Sequence, residues 1–288
     1  MQSTYINRIN QVYPDLAIEK VKQIDIGQNN DVLEINDSLI FRFPKYKEGV
    51  DKLIDEADIL AKAKEMMRDC AIPDPIYQSF GKKEVGKVFA GYRKIEGVSL
   101  QKPDITGAGK LETSIRSFSL VNFLLRLHAA STDGLDEAAP DLEAEYNNLF
   151  DRIQRKLFPY MRSDAKREVS GFFEDFFAQV NTFHFKPVLI HGDFGASNLL
   201  WDSKKLELTG VIDFGESGVG DPAYDFAGVL ASYGYEFFKQ CVDNYYDNET
   251  GIEHRALFYQ KTFALLEALH GVEHNDELAF KAGMRGYM

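Results

Sequence analysis

The chain has 288 residues, enough for two domains with cores of their own, and at 44% hydrophobic and 27% charged it has an ordinary globular composition. Its net charge of −12, from 45 acidic against 33 basic residues, opposes binding to nucleic acid or to an anionic membrane and would attract a cationic small substrate. The sequence has no run of about eighteen apolar residues and no signal-peptide core at its polar N-terminus, and Cys70 and Cys241 alone imply no disulfide framework, so a reducing cytoplasmic setting fits.

Residues 1–12 can form a short amphipathic helix that stops near Pro14. Three short β runs follow, Ile18–Ile26, Asp31–Ile35 and Ser38–Phe43. Between the first two lies Gly27-Gln28-Asn29-Asn30-Asp31, a turn-rich segment whose free amides could cradle phosphate oxygens; read alone, it is a hairpin turn. Arg42 places a charge inside the third run, and residues 51–68 carry apolar side chains at helical spacing, with Glu56 on the second turn and able to pair with Arg42. Lys45 is a second cationic candidate. Ile72-Pro73-Asp74-Pro75 breaks the helix, and Ile76–Phe80 with Val88–Ile95 reads as another hairpin. Gly97 then lets the chain turn, and a domain boundary belongs there, between residues 1–96, with a hinge at 92–97, and residues 97–288.

Beyond Gly97 the pattern is helical. Ile115–Ala130 is apolar nearly all round, as a core helix should be, and His128 at its end reads as a packing or capping residue. Residues 141–160 and 164–182 read as amphipathic helices. Two short apolar β runs come next, Val188–Ile190 and Leu208–Ile212. Each ends on an acidic tripeptide, His191-Gly192-Asp193 and Asp213-Phe214-Gly215, and Asn198 lies five residues beyond Asp193. One carboxylate can accept or orient a hydroxyl proton, while a second carboxylate and an amide oxygen, both hard oxygen ligands, can hold Mg²⁺ against phosphates. Asp221-Pro222 is a helix opening with Asp as N-cap, and Asp225 one turn on could brace the preceding loop by accepting backbone amides. Helices around 223–246, 253–270 and 273–284 close the chain.

The order and spacing of Asp193, Asn198 and Asp213 resemble the catalytic and metal loops of kinases. HGDFGASN, VIDFG and GDPAYDF together resemble the aminoglycoside phosphotransferase (antibiotic kinase) family over nearly the whole length, and IFRFPK and FAGYRKIEGVSL look like the enzymes that modify the 2''-hydroxyl. The resemblance implies an α+β fold: a two-lobed, protein-kinase-like molecule with a small β-rich N-terminal lobe and a larger, mainly helical C-terminal lobe. It implies Asp193 as catalytic base, Asn198 and Asp213 as Mg²⁺ ligands, and Arg42 with Glu56 on the nucleotide phosphates, beneath a loop that includes Gly27 and Asn30. It also implies a purine held by the backbone of Arg93–Ile95, with Tyr92 as gatekeeper. In the 2'' branch a bulky tyrosine there goes with GTP as donor, so GTP is expected here, with ATP the alternative.

The chain departs from the family pattern in carrying Asn29 in place of a second glycine and Arg42 in place of lysine. Residues 228–234 also lack the carboxylates that several aminoglycoside enzymes carry there to bind ammonium groups. Glu236 is the nearest substitute, with Glu216, Asp221 and Glu267 as further substrate-binding candidates. The expected acceptor is an aminoglycoside hydroxyl, by this resemblance the 2''-OH. A macrolide, a metabolic sugar, choline or homoserine acceptor, or a non-catalytic nucleotide-binding module, are the alternatives. The protein is expected to act as a monomer on a small molecule.

Overall fold

In the computed structural model, the structure describes residues 2–24, 29–67, 70–135, 141–179, 185–245 and 251–288. The chain opens with helix α1 (Gln2–Val12) and strands β1 (Val21–Ile24), β2 (Asn30–Ile35) and β3 (Leu39–Pro44). Helix α2 (Lys47–Met66) leads into strands β4 (Tyr77–Ser79) and β5 (Phe89–Arg93). The five strands form one antiparallel sheet in the order β1-β2-β3-β5-β4. Alternation along β2 and β3 explains its two faces. Leu33, Ile35, Phe41 and Phe43 join Phe89 under Tyr5 and Ile9 of α1, whereas Val88 and Ala90 meet Val50 and Leu53 of α2 on the other side. Further along α2, Ile59, Leu60 and Ala63 belong to a second and larger core, so this one helix is shared between the two.

That larger core belongs to the helical lobe. It is built from β6 (Val98–Ser99), α3 (Lys102–Thr106), α4 (Lys110–His128), α5 (Leu142–Lys156), α6 (Ser163–Phe177), β7 (Val188–Ile190), β8 (Leu199–Asp202), β9 (Glu207–Val211), β10 (Gly218–Gly220), α7 (Pro222–Tyr233), α8 (Tyr235–Asn244), α9 (Ile252–His274) and α10 (Glu277–Met284). Two small antiparallel sheets, β10-β7 and β6-β8-β9, sit among the helices and carry the two acidic tripeptides at strand ends.

Three expectations change. The helix anticipated over 223–246 is two helices, because Gly234 adopts a φ of 87°, which a side chain would strain, and separates α7 from α8. The helix expected from 115 begins at Lys110, and it is not apolar-buried all round: Phe118 is 54% exposed and Ile115 38%. The long helix expected over 51–68 starts four residues earlier, at Lys47. Among the described residues, no helix is long and apolar enough to cross a membrane.

Candidate active site

A cleft of about 500 Å³ lies between the sheet and the helical lobe. Its walls include Asn30 of β2, Arg42 of β3 and Glu56 of α2 on one side, and Asp193, Asn198, Asp213 and Glu216 on the other. The five-residue turn from Asp193 to Asn198 closes on itself: the Asn198 amide donates from Nδ2 to the Asp193 carbonyl at 2.9 Å and to Asp193 Oδ2 at 2.8 Å. The nitrogen end of the amide is therefore engaged, and its oxygen is left as the candidate cation ligand. The Ile212 amide donates to the Asn198 carbonyl at 3.0 Å, tying this loop to the one that carries Asp213.

Asp213 has a φ of 64°, a left-handed conformation that costs a non-glycine residue about 1 kcal/mol or more and recurs where a side chain must be aimed. Arg42 Nη2 donates to its Oδ1 at 2.9 Å, leaving Oδ2 for a cation, while Arg42 Nη1 holds Glu56 Oε1 at 2.5 Å. Burial by itself would push the Arg42 guanidinium down; Glu56, then Tyr92 and Asp213, more than reverse this, so it stays charged. Where a lysine would offer one point charge, the arginine fork reaches both carboxylates at once. Two hard oxygen donors on loops that face a phosphate-sized space suit Mg²⁺, which commonly takes one or two protein ligands plus phosphate and water.

Behind these loops lies a buried brace. Asp225 accepts the His191 amide at Oδ2 and the Gly192 amide at Oδ1, both at 2.9 Å, and His128 Nε2 lies 3.1 Å from Oδ2. Gly192 is required here: its φ is 78°, and a Cβ would fall 2.0 Å from the Glu216 carbonyl oxygen. The His191 ring accepts the Asp193 amide at Nδ1, 3.2 Å away, and therefore donates from Nε2 to the Ile212 carbonyl at 3.0 Å. Burial pushes its pKa below the ordinary 6.5, with Asp225 acting in the opposite sense. At high pH both folded and unfolded chains carry a neutral ring. Below the ordinary value only the unfolded chain takes up the proton, so stability is lost as the pH falls. The thermal midpoint is expected to drop between about pH 7 and about pH 5. His191→Gln should flatten that slope in scanning calorimetry across the range.

The remaining sequence candidates are dispersed. Tyr92 is buried behind Arg42, and burial raises its phenol to about 12. Arg93 and Ile95 line a separate hollow of about 300 Å³ beside Ala71 and Thr209 rather than the main cleft, and the intervening Lys94 amide is bonded to the Ser38 carbonyl. Gly27 lies outside the described residues. Asn30 presents a buried Oδ1 with no partner among them. Glu216 borders both the cleft and a side hollow of about 380 Å³ lined by Glu145, Tyr146, Ile190 and Tyr224. Asp221 borders the side hollow, but its carboxylate is already engaged: it is 3% exposed, caps α7 through the Ala223 amide, and its oxygens take Arg255 Nε at 2.6 Å and the Tyr259 hydroxyl at 2.7 Å. Glu236 lines a different hollow with Lys102 and Thr106, and Glu267 is exposed on α9 outside these cavities. Two residues that the sequence reading passed over also line the sites: Lys52 in the cleft and Glu145 in the side hollow. Lys52 lies one helical turn before Glu56, a spacing that could have exposed it.

A family model described as phosphotransferase enzyme family (APH) matches residues 20–275. Viomycin phosphotransferase from Streptomyces vinaceus is 29% identical over 252 residues, covering 85% of each chain. The structure of APH(2")-IIia with GDP and kanamycin superposes with a TM-score of 0.88 at 24% identity, over 98% of this chain and 96% of the other. The macrolide 2'-phosphotransferase MphH from Brachybacterium faecium does so with a TM-score of 0.76 at 16% identity, over 97% of each. Similarity at these identities establishes a common two-lobed fold, and the match over 20–275 establishes the lineage: the chain belongs to the phosphotransferase enzyme family (APH).

Proposed function

We propose that this protein is an antibiotic kinase that transfers the γ-phosphate of a nucleoside triphosphate to a hydroxyl of an aminoglycoside, at the 2'' position. The observation that carries the reading is the convergence of Asp193, Asn198, Asp213 and the Arg42–Glu56 pair on one cleft from four separate stretches of chain. In this reading residues 1–96 and 97–288 are the two lobes, joined by a hinge at 92–97. Asp193 Oδ1 is free of Asn198 and orients the acceptor hydroxyl, taking its proton as the oxygen attacks phosphorus in line. Asn198 and Asp213 would hold Mg²⁺, which when bound would supply positive charge against the donor's phosphates. Arg42, fixed by Glu56, keeps the phosphate chain in register, so that catalysis rests on positioning and charge stabilisation.

The donor is GTP on this reading, because the buried Tyr92 is by the family resemblance the gatekeeper, and a bulky tyrosine there goes with GTP. Steady-state kinetics with both nucleotides is expected to give a higher kcat/KM for GTP, and a tenfold preference for ATP would reject that assignment. Acceptor choice is tested by phosphate transfer to kanamycin, gentamicin, erythromycin and choline. Turnover on kanamycin or gentamicin supports the aminoglycoside reading. A macrolide acceptor is the second reading, favoured by the tyrosines and leucines that line the side hollow and by the absence of carboxylates at residues 228–234; turnover on erythromycin alone would establish it.

A further inference from the structure

Two cations line the cleft among the described residues, Arg42 and Lys52, against the four carboxylates Glu56, Asp193, Asp213 and Glu216. Arg42 is committed, with both terminal nitrogens on Glu56 and Asp213 and its side chain 9% exposed. Lys52 is not committed in the same way. It sits on the stripe of α2 that faces the cleft, at Gly49, Lys52, Leu53 and Glu56, so its ammonium is one helical turn from the carboxylate that fixes Arg42. Its partner is Glu216 Oε1 at 2.8 Å, across the mouth of the cleft and 164 residues away in the chain. Both side chains are about half exposed, 54% and 52%, and an exposed ion pair of this kind is weak and easily exchanged. Glu216 also borders the side hollow, which Gly192 helps to line.

We propose that Lys52 is a phosphate-contacting residue of this enzyme, held on Glu216 in the nucleotide-free state and exchanged onto the triphosphate when it binds. The inference rests on the phosphotransfer reading and adds to it a residue and an order of events. A triphosphate entering a cleft with more carboxylates than cations draws the cation that is itself about half exposed, Lys52, rather than the buried Arg42. An ammonium–phosphate contact in a partly closed cleft is stronger than the surface pair it replaces. The exchange leaves Glu216 without its cation at the edge of the side hollow. A carboxylate thus becomes available to an ammonium-bearing acceptor only after the donor is in place.

The test is calorimetric titration of the full chain with Mg²⁺ and either GMPPNP, a non-hydrolysable triphosphate, or GDP. Lys52→Met is expected to weaken GMPPNP by about tenfold, the loss of one charge-assisted bond, and to leave GDP within about twofold. Lys52→Arg should restore most of the GMPPNP affinity. Glu216→Gln, by releasing Lys52, should tighten GMPPNP severalfold, and that gain should vanish in the double variant with Lys52→Met. If instead both single variants weaken GMPPNP and GDP alike, the pair is merely a strap between lobes and the proposal falls. If Glu216→Gln tightens binding equally in the Lys52→Met background, bulk charge explains the effect and the exchange is refuted. Failure of the wild type to bind either nucleotide would reject the phosphotransfer reading itself, and this inference with it.

Discussion

Asp193→Ala is expected to lower kcat by roughly 100- to 10,000-fold, the range associated with removing a general base, while leaving the nucleotide dissociation constant within about twofold. The asymmetry follows from the geometry. The Asp193 side chain is exposed in the cleft and meets the rest of the protein through a single carboxylate oxygen, Oδ2, bonded to Asn198. Its backbone is fixed independently, by the His191 ring from one side and by the Gly195 amide on its carbonyl from the other. Losing the side chain therefore removes the proton acceptor without unfolding the loop, and the Arg42–Glu56 pair stays intact. Asp193→Asn keeps the shape and should be as inactive, because an amide cannot take the proton. A variant that retains a tenth of wild-type kcat, with unchanged stability, would remove Asp193 from the role of base.

The largest loss of stability is expected at a residue the sequence offered as a substrate ligand. Asp221→Ala breaks the ion pair that Asp221 makes with the buried Arg255, 1% exposed, and removes the N-cap of α7 together with the bond to Tyr259. Breaking a buried pair from one side costs about 3–5 kcal/mol, because the remaining charge stays desolvated. In a chain of this size that corresponds to a fall in thermal midpoint on the order of 10 °C. At a temperature where the variant is still folded, the KM for acceptor should be close to wild type. A normal midpoint combined with a tenfold higher KM would reverse the assignment and return Asp221 to the acceptor pocket.

The contrast between these two aspartates shows what was legible in the sequence. Local pattern carried the strand-ending tripeptides, the spacing of Asn198 and the pairing of Arg42 with Glu56. Those features are set by short-range geometry or by motifs whose chemistry admits few substitutions. It also carried the bracing role of Asp225, which lies one turn beyond a recognisable N-cap. It did not carry what depends on a distant partner. The sequence marks Asp221 as an N-cap, but not its burial, which follows only when Arg255 and Tyr259 arrive from α9 and take up its carboxylate. Lys52 is an ordinary helix lysine until Glu216 comes to face it from the other lobe. The exposed positions of α4 were misjudged for a related reason, since an apolar residue on a helix declares its preference but not whether a neighbour is there to meet it. The break between α7 and α8 rests on a single glycine whose backbone angle decides the matter.

The sharing of α2 between the two cores has a thermodynamic consequence. Its first turns pack on the sheet through Val50 and Leu53, and its later turns on the helical lobe through Ile59, Leu60 and Ala63. A chain cut between residues 96 and 97 would leave the sheet fragment with the later apolar surface bare to water and the helical fragment without the side chains that fill that part of its core. The lobes are thus distinct in shape but not in folding. Heating is expected to melt them in one cooperative transition rather than two, and whatever rocking the cleft undergoes is confined to motions that carry this helix as a rigid pivot.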